Sequence, residues 1–189
     1  MTESLGEQRR GQVTAVVCAA FDPAADQAIL AAREIVRSLG APLPPTPPHR
    51  PHFTLSAARV DRAELVGVGE LAAEVAARHQ PIPLLLTEVG RFGRAGVVWL
   101  GPAPTTELAA LQREVYRSLK TCWPPAFGER SAPALWRAHC TLATRLDKPL
   151  SRAIQAELRA SHQPIRATVA GLATILVGGR GDVCYAPFS

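Results

Sequence analysis

A six-residue pattern occurs twice in this chain and constrains its fold more than any other feature. Arg50–Leu55 reads RPHFTL and Arg137–Leu142 reads RAHCTL, so both segments follow the pattern R-x-H-x-T-L. A β-strand projects alternate residues onto one face, which would place the Arg, His and Thr of each segment together. The sequence therefore predicts two equivalent strands that face each other across a groove lined by imidazoles, hydroxyls and guanidiniums.

These residue types suit proton transfer at a phosphate. Histidine titrates near neutral pH, so one imidazole can act as a base and the other as an acid. Threonine hydroxyls can donate hydrogen bonds to the non-bridging oxygens, where charge builds in the transition state. The arginines could bind the anion, although an arginine at the start of a strand is also commonly a solvated end. The predicted site comprises two catalytic pairs and two substrate-binding arginines: His52, Thr54, His139, Thr141, Arg50 and Arg137.

The pattern leaves two questions open. Because the two copies are nearly identical, the sequence does not say which histidine is the acid and which the base. The alternative to a catalytic site is that both histidines merely satisfy a polar edge of a sheet. Phe53 and Cys140 alternate with the site residues, so they are predicted to point into the core.

Metal and cofactor sites are not indicated by the remaining histidines and cysteines. His49 and His52 form an H-x-x-H pair, but its proline-rich setting is not helical and no third ligand is spaced beside it. His79 and His162 fall at predicted helix ends, where a histidine is favoured by the helix dipole. The four cysteines contain no C-x-x-C pair and are expected to be buried free thiols. We therefore expect neither a metal nor a cofactor.

Hydrophobic periodicity and turn residues predict alternating strands and helices. Predicted strands span 13–21, 52–60, 83–89, 97–100, 136–145, 165–173, 175–177 and 183–188. Predicted helices span 23–39, 61–78, 105–120 and 151–160, the last of them capped by Ser151. The order of strand, helix and strand pair recurs after each motif, which indicates an α+β fold built by internal duplication.

Length and composition bound the architecture and the partners. The 189 residues, 47% of them hydrophobic, suffice for one domain over 13–189 after a flexible tail over 1–12. Six prolines within 41–51 exclude a helix there and indicate an extended connection, with a domain linker as the alternative. The net charge of +5, with only two lysines, favours a local anionic pocket over a long polyanion track. Without a signal core or a membrane-length apolar run, the protein is expected to be cytoplasmic and off the membrane. The sequence leaves the oligomeric state open, with a monomer favoured.

Paired H-x-T-L strands in a chain of this length resemble the 2H phosphoesterase superfamily. More narrowly, the chain is similar to its bacterial 2′-5′ RNA ligase and 2′,3′-cyclic phosphodiesterase branch. Val13–Pro23 resembles the family's opening strand and helix start, and Val97–Gly101 (VVWLG) resembles its v-x-W-L-G strand. Leu108–Leu119 matches the helix before the second motif, and Trp136–His139 stands where many members have an aromatic residue and a proline. The resemblance therefore covers nearly the whole chain.

The resemblance implies both a fold and a reaction. The fold would be a bilobal α+β domain with a pseudo-two-fold, in which two antiparallel sheets form a central groove and helices pack outside. The reaction would be metal-independent hydrolysis of 2′,3′-cyclic phosphodiesters at RNA ends or on nucleotides, or its reversal as 2′-5′ RNA ligation. Ala138 stands where many members have a proline, and the arginine that often follows the second motif is displaced here to Arg145. Both departures put substrate choice in doubt. The alternatives are a phosphodiesterase for another small cyclic phosphate and a non-catalytic nucleotide- or RNA-binding module.

Overall fold

The computed structural model describes residues 11–42, 49–179 and 181–189. The predicted tail over 1–12 and the proline-rich segment over 41–51 therefore lie largely outside the described residues. Seven strands are present in the described part: β1 Gln12–Phe21, β2 His52–Asp61, β3 Ile82–Phe92, β4 Val97–Pro102, β5 Cys140–Ala143, β6 Ile165–Leu176 and β7 Asp182–Pro187. Four α-helices accompany them: α1 Pro23–Ser38, α2 Leu65–Ala76, α3 Thr106–Cys122 and α4 Lys148–Ser161.

Side-chain caps set the starts of three helices. The Asp22 carboxylate accepts from the Ala25 N–H at 3.0 Å and begins α1, and Thr105 accepts from the Leu108 N–H at 3.2 Å and begins α3. Helix α4 begins earlier than predicted, because Asp147 accepts from the Leu150 N–H at 2.7 Å. The predicted cap at Ser151 is therefore wrong.

The strands form one antiparallel path in the order β2-β1-β6-β3-β4-β5, with β7 on β6. Strand β6 is one continuous strand and not the two that the sequence predicted. Its Val169–Leu176 portion pairs with β1, and its Ile165–Val169 portion pairs with β3. Strand β6 thus joins the β2–β1 pair to the β3–β4–β5 group in one sheet. The motif-bearing strands β2 and β5 are the two ends of this path, yet they contact each other.

The helices pack against the strands and bury apolar side chains between them. In the first motif strand, Phe53 is fully buried and its ring meets that of Phe21 edge-on at 4.8 Å between centroids. Cys140 of the second motif is also fully buried, which confirms the predicted inward orientation of both residues. Cys122 is exposed and Cys184 is partly exposed, so the expectation of buried thiols holds for Cys18 and Cys140 only.

The second motif strand is shorter than the predicted 136–145. Its ladder with β4 ends at the Leu100–Cys140 pair, and the Trp136 N–H is already bonded to the Ala132 carbonyl in a turn. Consequently His139 lies immediately before β5, whereas His52 is the first residue of β2. Among the described residues, no helix has the length and apolar character that a membrane crossing requires.

Candidate active site

The two motif histidines are held in the same way. His52 Nδ1 lies 2.7 Å from the Arg50 carbonyl oxygen, and His139 Nδ1 lies 2.8 Å from the Arg137 carbonyl oxygen. Because a carbonyl oxygen only accepts, each Nδ1 carries the hydrogen and donates it. The neutral imidazole then has its lone pair on Nε2, the atom that would exchange a proton with a substrate. The backbone of each motif arginine thus fixes the tautomer of the histidine two residues later.

Burial lowers the pKa of both imidazoles. The pKa of His52 falls to about 4, mainly because burial penalises the charged ring, with further lowering by the positive charge of Arg33 and by His139. Burial also lowers the pKa of His139, and the Arg137 charge adds to it. The hydrogen bond to the backbone carbonyl opposes this effect at both residues. Both imidazoles are therefore predominantly neutral in the free protein at neutral pH.

The motif threonines occupy the polar face that the alternation predicted. Thr54 lies two residues after His52 on β2 and is partly exposed, while its neighbours Phe53 and Leu55 are buried. Thr54 pairs with Cys18 of β1, whose buried thiol contacts the Thr54 hydroxyl. Thr141 pairs with Trp99 of β4 and is likewise partly exposed. Each threonine therefore lies two residues after its histidine and is partly exposed.

Two side chains connect the motifs through backbone carbonyls. Trp136 Nε1 donates to the Thr54 carbonyl at 2.8 Å and so links the segment before the second motif to the first. Arg33 of α1 donates from Nε and Nη2 to the Thr141 carbonyl at 3.2 and 3.1 Å. Its Nη1 donates to the His49 carbonyl at 3.2 Å. Arg33 thereby fixes the second motif against the chain that enters the first.

Sequence reasoning missed Arg33, although the sequence contains a signal for it. Residues spaced three or four apart lie on one face of a helix. Arg33 follows the buried Ile29 by four residues and precedes the buried Val36 by three, so a charge interrupts the apolar stripe of α1. A charge in such a position needs partners in the fold, and here they are backbone carbonyls of both motif regions.

The motif arginines have different surroundings. Arg50 Nη2 donates to the Phe21 carbonyl and to Asp26, both at 3.0 Å, and Nη1 lies 3.7 Å from Asp182. Its guanidinium also lies 5.1 Å from the centre of the Tyr185 ring. Two carboxylates therefore already balance the charge of Arg50, which ties the start of β2 to α1 and β7.

Arg137 is more open. Its Nη2 pairs with Glu88 at 2.7 Å, its guanidinium lies 4.7 Å above the Trp99 ring, and its side chain is 57% exposed. Trp99 and Phe92 form an aromatic wall beside the second histidine: their ring centres lie 6.2 and 4.8 Å from that of His139. Any Cβ at Gly90 would overlap the Trp99 indole, so only glycine admits the ring there. Of the two arginines, Arg137 is the one whose guanidinium can still turn to a ligand.

No group of three or more His, Cys, Asp or Glu side chains within the described residues is arranged to hold a metal ion. His49 lies beside His52, at 6.4 Å between ring centres, without completing such a group. What the described residues do show is that the two motif strands contact each other, that His139 is close enough to lower the pKa of His52, and that each imidazole has its Nδ1 bonded to a carbonyl.

The family model of the 2′-5′ RNA ligase superfamily matches residues 21–180 of the chain. Among solved structures, Escherichia coli LigT in its apo form matches with a TM-score of 0.59 at 18% identity, over 94% of this chain and 95% of that chain. LigT in complex with 3′-AMP matches with a TM-score of 0.58 at 18% identity, over 94% and 96%. TT0787 of Thermus thermophilus matches with a TM-score of 0.55 at 20% identity, over 85% and 86%. No curated protein matches the chain in sequence.

Proposed function

The chain belongs to the 2′-5′ RNA ligase superfamily and has the LigT-like 2H phosphoesterase fold, and on this premise we propose that it hydrolyses 2′,3′-cyclic phosphodiesters. The substrates are RNA ends or nucleotides that carry the cyclic phosphate, and reversal of the cleavage would join RNA ends through a 2′-5′ linkage. The observation that carries this proposal is the pair of equivalent histidines, each with Nδ1 bonded to a carbonyl and Nε2 available to a ligand. LigT has been solved with ATP, 3′-AMP and phosphate, which supports a nucleotide phosphate as the ligand of the same fold here.

The reaction requires one proton to leave and one to arrive. A neutral Nε2 takes a proton from water as the water oxygen attacks phosphorus. The bond from phosphorus to one ribose oxygen breaks, and the second imidazole, protonated at Nε2, gives its proton to that oxygen. The Thr54 and Thr141 hydroxyls donate to the non-bridging oxygens, and Arg137 offsets their charge. Arg50, with its charge already paired, would position β2 beneath His52.

The difference between the two pKa values favours one assignment of the roles in hydrolysis. Burial lowers the pKa of His52 to about 4, so His52 is neutral over the whole neutral range and suits the base. The more exposed surroundings of His139 keep its protonated form more accessible, and the substrate's negative charge favours that form further. We therefore assign His52 as the base and His139 as the acid.

This assignment predicts a bell-shaped pH profile of kcat/KM with its maximum on the acidic side of an ordinary histidine. Activity should rise as His52 loses its proton near pH 4 and fall as His139 loses its own below the ordinary 6.5. Initial rates on adenosine 2′,3′-cyclic phosphate from about pH 3.5 to 9 measure both limbs. The residual activity of a His139 variant should not fall at high pH. The residual activity of a His52 variant should not rise from low pH. Activity that climbs steadily across the neutral range into alkaline pH would contradict the scheme.

Loss of the Arg33 side chain should weaken both the site and the fold. Arg33→Met leaves the Thr141 and His49 carbonyls without their donor, which should lower the free energy of unfolding by about 1–3 kcal/mol. Misplacement of the second motif should lower kcat/KM about 10- to 100-fold. Urea unfolding and steady-state kinetics measure the two effects. Arg37→Met, which removes an exposed guanidinium from the same helix, is the matched control and should change neither quantity appreciably.

Three substrates distinguish the proposed reaction from its alternatives. The protein is incubated with adenosine 2′,3′-cyclic phosphate, with a 2′-5′ dinucleotide and with a non-nucleotide cyclic phosphate, each in the presence of EDTA. We expect EDTA-resistant turnover of the first and, more slowly, the second. Turnover of the third alone would indicate a phosphodiesterase for another small cyclic phosphate. Nucleotide binding without turnover of any substrate would indicate a non-catalytic module and would refute the proposal.

A further inference from the structure

A pocket of about 520 Å³ lies beside His139, and neither motif histidine lines it. Three arginines line it against one carboxylate: Arg91, Arg137, Arg159 and Glu88. Trp99 and His162 also line the pocket. Since Glu88 is already paired with Arg137, the pocket retains an excess of positive charge and suits an anionic ligand.

The pocket is built on an open edge of β3. Strand β6 pairs with β3 only over Ile82–Leu86, so the rest of that edge lacks a neighbouring strand in the described part of the chain. Side chains from the end of α4 bind the edge instead: Arg159 Nε donates to the Val89 carbonyl at 3.1 Å, and His162 Nε2 donates to the Leu86 carbonyl at 3.0 Å. These bonds fix the two side chains and leave the terminal nitrogens of Arg159 available. The positive lining is therefore anchored to the backbone.

Two buried donors of this lining have no acceptor among the described residues. Six buried side-chain nitrogen or oxygen atoms in that part of the chain lack a hydrogen-bond partner, and Arg91 Nε and Trp99 Nε1 are two of them. A buried donor without an acceptor destabilises the fold, so its occurrence calls for an explanation. Both side chains line the pocket, so rotation of each toward an anionic oxygen bound there would give it an acceptor.

The pocket shares a wall with the catalytic groove. Arg137 and Trp99 line the pocket. The backbone carbonyl of Arg137 bonds His139, and the Trp99 ring lies beside the imidazole. A cyclic mononucleotide has only the phosphate that is cleaved, so this second anionic site has no role in its binding. We propose that the pocket binds a further phosphate of the same substrate molecule and thereby makes the enzyme prefer RNA ends to cyclic mononucleotides. This proposal rests on the proposed function.

Three substrates and three variants test this proposal. The substrates are adenosine 2′,3′-cyclic phosphate, the same nucleotide with a 5′-phosphate, and a diadenylate that ends in the cyclic phosphate. Arg91→Gln and Arg159→Gln should each lower the preference for the diadenylate over the mononucleotide, as a ratio of kcat/KM, about tenfold and mainly through KM. The 5′-phosphorylated nucleotide shows whether a terminal phosphate suffices or an internucleotide phosphate is required. Arg113→Gln, which neutralises an exposed arginine on α3, should leave the preference unchanged.

A binding measurement keeps the pocket testable apart from catalysis. The His52→Asn/His139→Asn double variant is titrated into a fluorescein-labelled diadenylate with a 3′-phosphate, and its affinity is followed by anisotropy against salt. Adding Arg91→Gln or Arg159→Gln should weaken binding. It should also reduce the slope of the logarithm of the affinity against the logarithm of the salt concentration by about 1. If kcat/KM falls equally for every substrate, or if neither preference nor affinity changes, the pocket is not a phosphate site. If no cyclic substrate is cleaved while the binding effects are observed, the proposed function fails and the pocket stands.

Discussion

His52→Asn and His139→Asn are each expected to lower kcat/KM toward adenosine 2′,3′-cyclic phosphate by about 10²–10⁴-fold, with the fold intact. The asparagine amide can keep the donor that each Nδ1 gives to the Arg50 or Arg137 carbonyl. It lacks a group at the position of Nε2 that can accept or donate a proton. The change therefore removes the proton transfer and keeps the local hydrogen bond.

The measurement is steady-state turnover of each variant beside its thermal unfolding midpoint. His79→Asn is the matched control, because His79 binds Glu114 of α3 at 2.9 Å and lies outside both motifs. It should affect stability and leave turnover unchanged. The double variant should be no more than slightly worse than either single variant, since the two rings act in one reaction. If the double variant turned over substrate as fast as the unaltered protein, the assignment of His52 and His139 as catalytic residues would be wrong.

The local part of this structure was predictable because alternation and capping are local effects. The H-x-T spacing correctly placed Phe53 and Cys140 in the core, and the first predicted helix correctly begins at Pro23. The errors also have local causes. At α4 an aspartate competes with Ser151 as the cap and begins the helix earlier. At the second motif the Trp136 N–H bonds the Ala132 carbonyl in a turn, and the ladder with β4 begins only at Cys140, after His139.

The parts that the sequence did not predict depend on distant contacts. Arg33 bonds the Thr141 carbonyl across 108 positions of the chain, and no periodicity specifies that pairing. Arg50 and Arg137 stand at identical motif positions, but only Arg50 meets two carboxylates within the described residues, supplied by α1 and β7. The repeat therefore predicted a symmetric site, whereas the fold gives its two halves different arginine environments and histidine pKa values.

Thr54→Val and Thr141→Val are each expected to lower kcat about 10²–10³-fold with little change in KM. Valine keeps the branched shape that suits a strand and removes only the hydroxyl. If that hydroxyl donates to a non-bridging oxygen as charge builds, its loss raises the barrier more than it weakens the ground state. The losses of kcat in the two variants can be compared directly, because the same atom is removed from each motif.

Thr54→Ser and Thr141→Ser separate this role from packing. Serine restores the donor without the methyl group, so kcat should return to within about tenfold of the unaltered protein if hydrogen bonding is the cause. The Thr54 hydroxyl also contacts the buried Cys18 thiol, so Cys18→Ala is tested alongside to see whether that contact, and not the phosphate, explains the loss. A pattern in which valine is tolerated and serine is not would assign the threonines to packing. Equal losses at both positions are expected if both hydroxyls act on one phosphate, and the contact between β2 and β5 is consistent with this arrangement.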